Sequence, residues 1–343
     1  MDKKTFKTDI AVLILFFNRP EPLRQVFAEV KKARPSHLFL YQDGPRNEHD
    51  MVGIEECREV VDDEQIDWEC DVRRNYQTEN AGCDPSNYNA QKWAFSLSDK
   101  VVVFEDDSIP SVSFIRFCKE MLDRYEHDER ITLVSGFNSD EITQGVPYDY
   151  FFTSVFSIWG WASWRRVIDQ WDASYSFLDD EYNWHQLTAL AKERKVRKSL
   201  VQMPFHHRDS GKAYYESIFW PAMMFNSGLA ITPTRNMINN LGAMAGDAVH
   251  YTASFKAMPK RLRQMFTMKR HELEFPLKHP KYVIENIDYK HHVYRTNGWG
   301  HPWIKIRYSL EELWNNLRQG NFKMIWRAIS NRLKIFSGKR KFK

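Results

Sequence analysis

Ile10-Ala-Val-Leu-Ile-Leu-Phe-Phe17 is an apolar run with no polar residue in it. A strand wetted on one face alternates apolar with polar. An unbroken run is what a central parallel strand needs, because helices cover both of its faces. Asn18-Arg-Pro20 ends the run, and residues 21–33 then show helical spacing through Leu23, Val26, Phe27 and Val30. The pattern repeats. Residues 37–41 read as a second strand, closed by Gln42-Asp-Gly-Pro45, with a helix to about Val61. Residues 68–74 read as a third strand. A polar loop over 80–86 and a helix through Tyr88, Trp93 and Phe95 follow. Val101-Val-Val-Phe104 is the fourth strand. Four strands alternating with helices over short loops predict an α/β fold, Rossmann-like, with a mixed but mostly parallel sheet flanked by helices.

The second half is less regular. The spacing predicts a helix over 114–125, a strand over 131–135, helical residues over 183–200 and a helix over 215–225 that Pro221 must start or kink. A short strand over 228–233 leads into a loop that reaches His250. Residues 203–212, polar and ending near Gly211, read as a mobile loop able to close over a ligand. The α/β unit is expected over 1–255, with a basic, mostly helical extension over 256–343.

Charge separates the two parts. Residues 1–312 hold 40 Lys or Arg against 45 Asp or Glu, a balance of −5, whereas 313–343 hold nine Lys or Arg and no acid. In the tail, Phe322, Ile325, Trp326, Ile329, Leu333 and Phe336 recur as one helix face among Lys and Arg. That combination suits an anionic membrane surface. No run of 18 apolar residues spans a membrane and no targeting peptide precedes the first strand. Cys57, Cys70, Cys83 and Cys118 form no CxxC pair and read as reduced thiols. The expected location is cytoplasmic, peripheral at the inner face of the cell membrane. Nucleic acid is not an expected partner, since no binding motif for it is present.

Chemistry concentrates where the fourth strand ends. Glu105, Asp106 and Asp107 repel one another unless a cation sits among them. Oxygen ligands suit Mn²⁺ or Mg²⁺, which commonly hold a substrate's phosphates, and α/β sheets bind ligands at the carboxyl ends of strands. A solvated acidic turn has the same residues. Arg19 and Asp43 end the first two strands at the same sheet edge; they suit a diphosphate and a base N–H, or an ordinary surface Arg and turn Asp. Trp159, Gly160, Trp161 and Trp164 are either core or a wall against a sugar ring. Glu216, in an apolar stretch, suits a general base if it is desolvated. His206, His207 and His250 are weaker metal-ligand candidates.

Taken in order, Phe17-Asn-Arg-Pro, Tyr41-Gln-Asp-Gly, Asn80-Ala-Gly-Cys, Phe104-Glu-Asp-Asp, Trp159-Gly-Trp, Tyr215-Glu, residues 228–233 and residues 247–250 resemble the GT-A nucleotide-sugar glycosyltransferases. Within them the resemblance is to bacterial polysaccharide transferases similar to N-acetylglucosaminyltransferase I, over about residues 10–250. It implies a metal-dependent, inverting transfer from a nucleotide-diphosphate sugar, UDP-linked, to a hydroxyl of a glycan or lipid-linked acceptor. It implies Asp107 as metal ligand with His250, and Arg19, Asp43, Glu105, Asp106, Trp159, Gly160 and Trp161 around the donor. Glu216 stands where the family carries Asp. That departure leaves Asp179 and Asp180 as alternative bases. It also leaves open a catalytically inactive sugar-nucleotide or glycan-binding protein of the same fold.

Overall fold

The computed structural model describes residues 3–190, 193–197, 202–211, 213–243, 255–326 and 330. The apolar run becomes strand β1, Thr8–Phe16. Its neighbours are β2, Pro35–Gln42, and β4, Lys100–Glu105, both parallel to it; β3, Asp71–Tyr76, lies parallel outside β2. Residues from Ile10 through Phe16 are all buried, as a strand covered on both faces requires. Helices α1, Pro20–Ala33, and α2, Asp50–Val60, pack together, and α1 also meets α4, Val112–Arg124. Helix α3, Cys83–Leu97, packs instead beside the helices Arg165–Ile168 and Tyr215–Phe225.

Beyond β4 the sheet turns mixed. It continues through β8, Trp161–Trp164, β6, Ile131–Ser135, β9, Leu229–Pro233, and β7, Tyr150–Thr153. The full order is β3-β2-β1-β4-β8-β6-β9-β7. β8 runs antiparallel to β4 and β6, β9 parallel to β6, and β7 antiparallel to β9. The expected α/β class with a large, mostly parallel sheet flanked by helices is what the chain forms. All four cysteines are free thiols.

Register sets the site. Leu15 pairs with Glu105, and Phe16 with Gln42. The residues after each strand therefore emerge at one edge: Arg19 after β1, Asp43 after β2, Asp106 and Asp107 after β4. A second, two-stranded sheet forms above this edge. β5, Ser108–Pro110, pairs antiparallel with β10, Ile238–Asn240, so that Asn240 lies opposite Ser108. Neither β7 nor β10 is foreseen by spacing.

One expectation changes. Residues 203–210 are not a loop: the helix Met203–Ser210 begins with Pro204 in its first turn and stops at Gly211, whose φ of 68° is a left-handed cap. The chain past residue 255 closes on the sheet. Glu272 accepts from the Val112 and Ser113 amides at 3.1 and 2.7 Å, and Glu285 from the Ser154 amide at 2.8 Å. Tyr289 of the helix Ile287–Thr296 packs on Phe151. Among the described residues no helix is long and apolar enough to cross a membrane. The expected tail helix lies largely outside the described residues, as do His250 and the rest of 244–254.

Candidate active site

The acidic triplet is held in place by three segments. Arg19, just ahead of α1, forks onto Asp106: its Nε donates to Oδ2 at 3.2 Å and its Nη2 to Oδ1. The same Nη2 donates to Asp107 Oδ2 at 3.2 Å. Asn240, delivered by β10, donates through Nδ2 to Asp107 Oδ1 at 2.7 Å. Leu241 N–H donates to the Asp107 carbonyl at 2.8 Å. Gly242 then passes so close that an added Cβ would lie 2.6 Å from Asp107 Oδ2. Asp106 and Asp107 are both buried.

Burial and like charge act on these carboxylates together. Burial pushes the Asp106 carboxyl up to about 6, although Arg19 beside it pulls the other way. Glu105 is raised well above the usual carboxylate range, first by burial and then by the charges of Asp107, Glu216 and Asp106. Burial opposes the Arg19 charge, and Asp106 more than compensates, so the guanidinium is held more firmly than usual. Among the described residues Arg19 is the cation that meets Asp106 and Asp107, and the mutual repulsion of Glu105, Asp106 and Asp107 is what a divalent ion would relieve. Among the described residues, no group of three or more His, Cys, Asp or Glu is placed to hold a metal by itself. An ion there would be held by one or two of these carboxylates and completed by phosphate oxygens and water, the usual manner of Mg²⁺.

Glu216 comes to the same place from the helix Tyr215–Phe225, in whose first turn it sits. Its neighbour Tyr215 is buried, with its hydroxyl 3.4 Å from Glu105 Oε1. Glu216 itself is exposed. The desolvated carboxylates of the site are thus those of the triplet, and an apolar sequence context around Glu216 does not bury it: Tyr215 and Ile218 turn inward while Glu216 stays at the surface. Asp179 and Asp180 lie apart from the triplet in their contacts. Asp179 accepts from Arg208 Nη1 at 2.7 Å. Asp180 accepts from the amide and side chain of Asn183 at 3.0 and 2.7 Å, capping the helix Glu181–Leu190.

Glu216 also borders a cavity of about 380 Å³. Phe156, Trp159, Phe219, Trp220 and Trp299 supply much of its wall. Trp159 packs against Phe137 and Phe266, at 4.8 and 5.0 Å between ring centroids. The polar atoms nearby are largely engaged. The Ser139 amide donates to Tyr289 Oη at 3.2 Å, and Ser157 Oγ accepts from the Trp159 amide at 3.2 Å.

Three residues expected around the donor have other work. Asp43 sits at the expected strand end, but its carboxylate accepts from Gly44 N, Ala81 N, Gly82 N and Asn80 Nδ2 at 2.9–3.1 Å. Those bonds fill the acceptor sites of a carboxylate. Asp43 ties the loop after β3 to the end of β2 and leaves no lone pair for a base N–H. Trp161 is only 1% exposed, stacked between Phe95 and Phe219 within the sheet; it is core. Gly160 has φ of 61°, and an added Cβ would lie 2.5 Å from Ile238 Cδ1. Its missing side chain makes room for β10, not for a ligand. Asn240, Gly242 and the cavity residues Trp220 and Trp299 are contributed without a sequence signal for a site.

No protein-family model matches the chain, and no curated protein matches it in sequence. Solved structures with a related arrangement include UDP-glucose pyrophosphorylase complexed with UDP-glucose, 8% identical, covering 48% of this chain and 79% of that one at a TM-score of 0.29. Mouse xyloside xylosyltransferase 1 is 11% identical and covers 63% of this chain and 81% of that one at a TM-score of 0.34. Likeness this distant says nothing about the chemistry of the site.

Proposed function

We propose that the chain is a metal-dependent, inverting glycosyltransferase of the GT-A kind. It moves a sugar from a UDP-linked donor to a hydroxyl of a glycan or lipid-linked acceptor, in the building of a bacterial surface polysaccharide. One observation carries the proposal: a buried cluster of mutually repelling carboxylates at the carboxyl edge of a parallel sheet faces an exposed Glu216 that lines an aromatic cavity. Donor and acceptor then meet between the two.

Asp107 holds Mn²⁺ or Mg²⁺ in this proposal, oriented by Asn240 and Arg19, and His250 is a second ligand. When bound, the ion neutralises charge on the departing nucleoside diphosphate. Glu216 accepts the proton from the acceptor hydroxyl, whose oxygen attacks the anomeric carbon from the face opposite the leaving group. The sugar–phosphate bond breaks, and the electron pair leaves with the diphosphate. No protein nucleophile is required. The aromatic wall excludes water from the attacking side, which favours transfer over hydrolysis.

The test is a screen of nucleotide sugars for metal-stimulated nucleotide release, with UDP–Mn²⁺ affinity measured by calorimetry in parallel. Asp107→Asn should abolish the metal-dependent part of that affinity and leave the melting transition in place. Unchanged UDP–Mn²⁺ binding in Asp107→Asn would remove the metal assignment. Donor binding without release or transfer would favour the binding-protein alternative.

A further inference from the structure

The helix Pro302–Arg318 is turned the wrong way round for a soluble domain. Trp303, Ile306, Leu310, Leu313, Trp314 and Leu317 fall within an arc of about 100°. They face outward, with exposures of 79, 49, 61, 40, 61 and 43%. The side toward the protein is polar. Tyr308 donates its hydroxyl to the Thr296 carbonyl at 2.9 Å, and Asn315 Nδ2 reaches the Ala257 and Met258 carbonyls at 3.3 Å. Glu311 Oε1 accepts from the Lys260 amide at 2.7 Å. The outer stripe runs on past the helix through Phe322, 66% exposed, and Trp326, 73% exposed. A surface this apolar marks something that covers it.

We infer that this face docks on an anionic phospholipid surface. Charge identifies the occupant. Arg307 and Arg318 are exposed along one edge of the stripe and Lys323 follows. No acidic residue occurs after Glu312, while nine Lys or Arg do. The rest of the chain carries a balance of −5, so an anionic surface attracts this end and repels the other. Three Trp along the stripe suit the headgroup level, where their rings can be half-buried. A protein groove would not need the basic edge; a bilayer interface uses both features of such a helix. The anchor begins at Trp303, ahead of the basic tail, and is independent of the chemistry proposed above.

Flotation of the full chain with vesicles provides the test. Phosphatidylcholine vesicles containing phosphatidylglycerol should bind the chain, and pure phosphatidylcholine vesicles should bind it weakly. Ile306→Ser with Leu310→Ser should reduce binding by about 10-fold for each replaced side chain. Both side chains are exposed, so an unchanged circular-dichroism spectrum and melting point confirm that the fold is kept. Failure of the wild-type chain to bind anionic vesicles would overturn the inference. So would binding by the double variant equal to wild type. Sedimentation showing that the wild type is a dimer and the double variant a monomer would assign the stripe to a second copy instead. Nucleotide release is read in the same samples, so loss of vesicle binding cannot be mistaken for failure of the enzymatic proposal.

Discussion

Asp43→Ala separates a residue that reads a base from one that holds a loop. The carboxylate binds four donors on one side of the site. Gly44 is buried, and the Glu79 backbone packs so tightly on it that an added Cβ would come within 2.5 Å. Losing the Asp43 carboxylate orphans the amide of buried Gly44, and an orphaned buried donor costs about 1–3 kcal/mol. Asn80 keeps its second bond, to the Gly44 carbonyl at 2.8 Å. Ala81 is exposed and Gly82 partly so, and each lost bond there costs about 0.5–1.5 kcal/mol net. The total is roughly 2–6 kcal/mol. With about 2.1 cal/mol/K of unfolding entropy per residue over 343 residues, 3 kcal/mol lowers the melting temperature by about 4 °C. Asn in place of Asp43 should recover part of that, because its carbonyl still accepts while its amide opposes the remaining N–H groups. Differential scanning calorimetry and a UDP titration on both variants provide the assay. An unchanged melting temperature together with a tenfold or greater loss of UDP affinity would refute the loop-holding role and return Asp43 to the base.

Glu216→Gln should keep UDP–Mn²⁺ affinity and lower the transfer rate by about 10²-fold or more, the usual contribution of a general base; full activity there, with loss in Asp179→Asn or Asp180→Asn, would move the base. Asp180→Asn and Asp179→Asn should otherwise change transfer by less than about twofold, since one caps a helix and the other makes an exposed ion pair, each with effects near 1 kcal/mol on stability. Gly242→Ala should weaken UDP–Mn²⁺ binding by about 10-fold, because its Cβ displaces an Asp107 carboxylate already fixed by Asn240 and Arg19; calorimetry showing wild-type affinity would mean that the Asp107 position is not critical.

What the sequence shows and what it hides divide along the range of the interactions. β1 and β4 are legible because burial on both faces leaves a local mark, an apolar run. The acidic triplet is legible because it directly follows one. Asp43 is different. Its turn chemistry is visible, but three of its four partners lie 37 to 39 residues away, and nothing local says that they will fill its lone pairs. Asn240 is more remote still, 133 residues from the Asp107 that it orients, on a strand of three residues too short to show a period. Trp161 illustrates the opposite limit. A strand buried on both faces has no polar side, so alternation cannot tell which Trp meets a ligand and which fills the core. The helix Met203–Ser210 carries terminal signals that its reading as a loop passes over. Pro204 and Gly211 bracket it as first-turn and cap residues, although its polar interior hides the helical period.

Amphipathicity has its own ambiguity, and the helix Pro302–Arg318 makes it concrete. Its spacing of Trp, Ile and Leu is that of any helix laid on a core. Periodicity reports that one face is apolar; it does not report what lies against that face. Tyr308 and Asn315 decide the orientation here. Their hydrogen bonds to backbone carbonyls at Thr296, Ala257 and Met258 hold the polar side inward. A buried carbonyl left without a donor would cost more than a hydroxyl or amide loses by leaving water, which is why a polar face can be the inner one. With that side occupied, the apolar side has no route to the core. Its large side chains then remain in water until a second surface arrives, and the free energy that would have stabilised the fold is available for association instead.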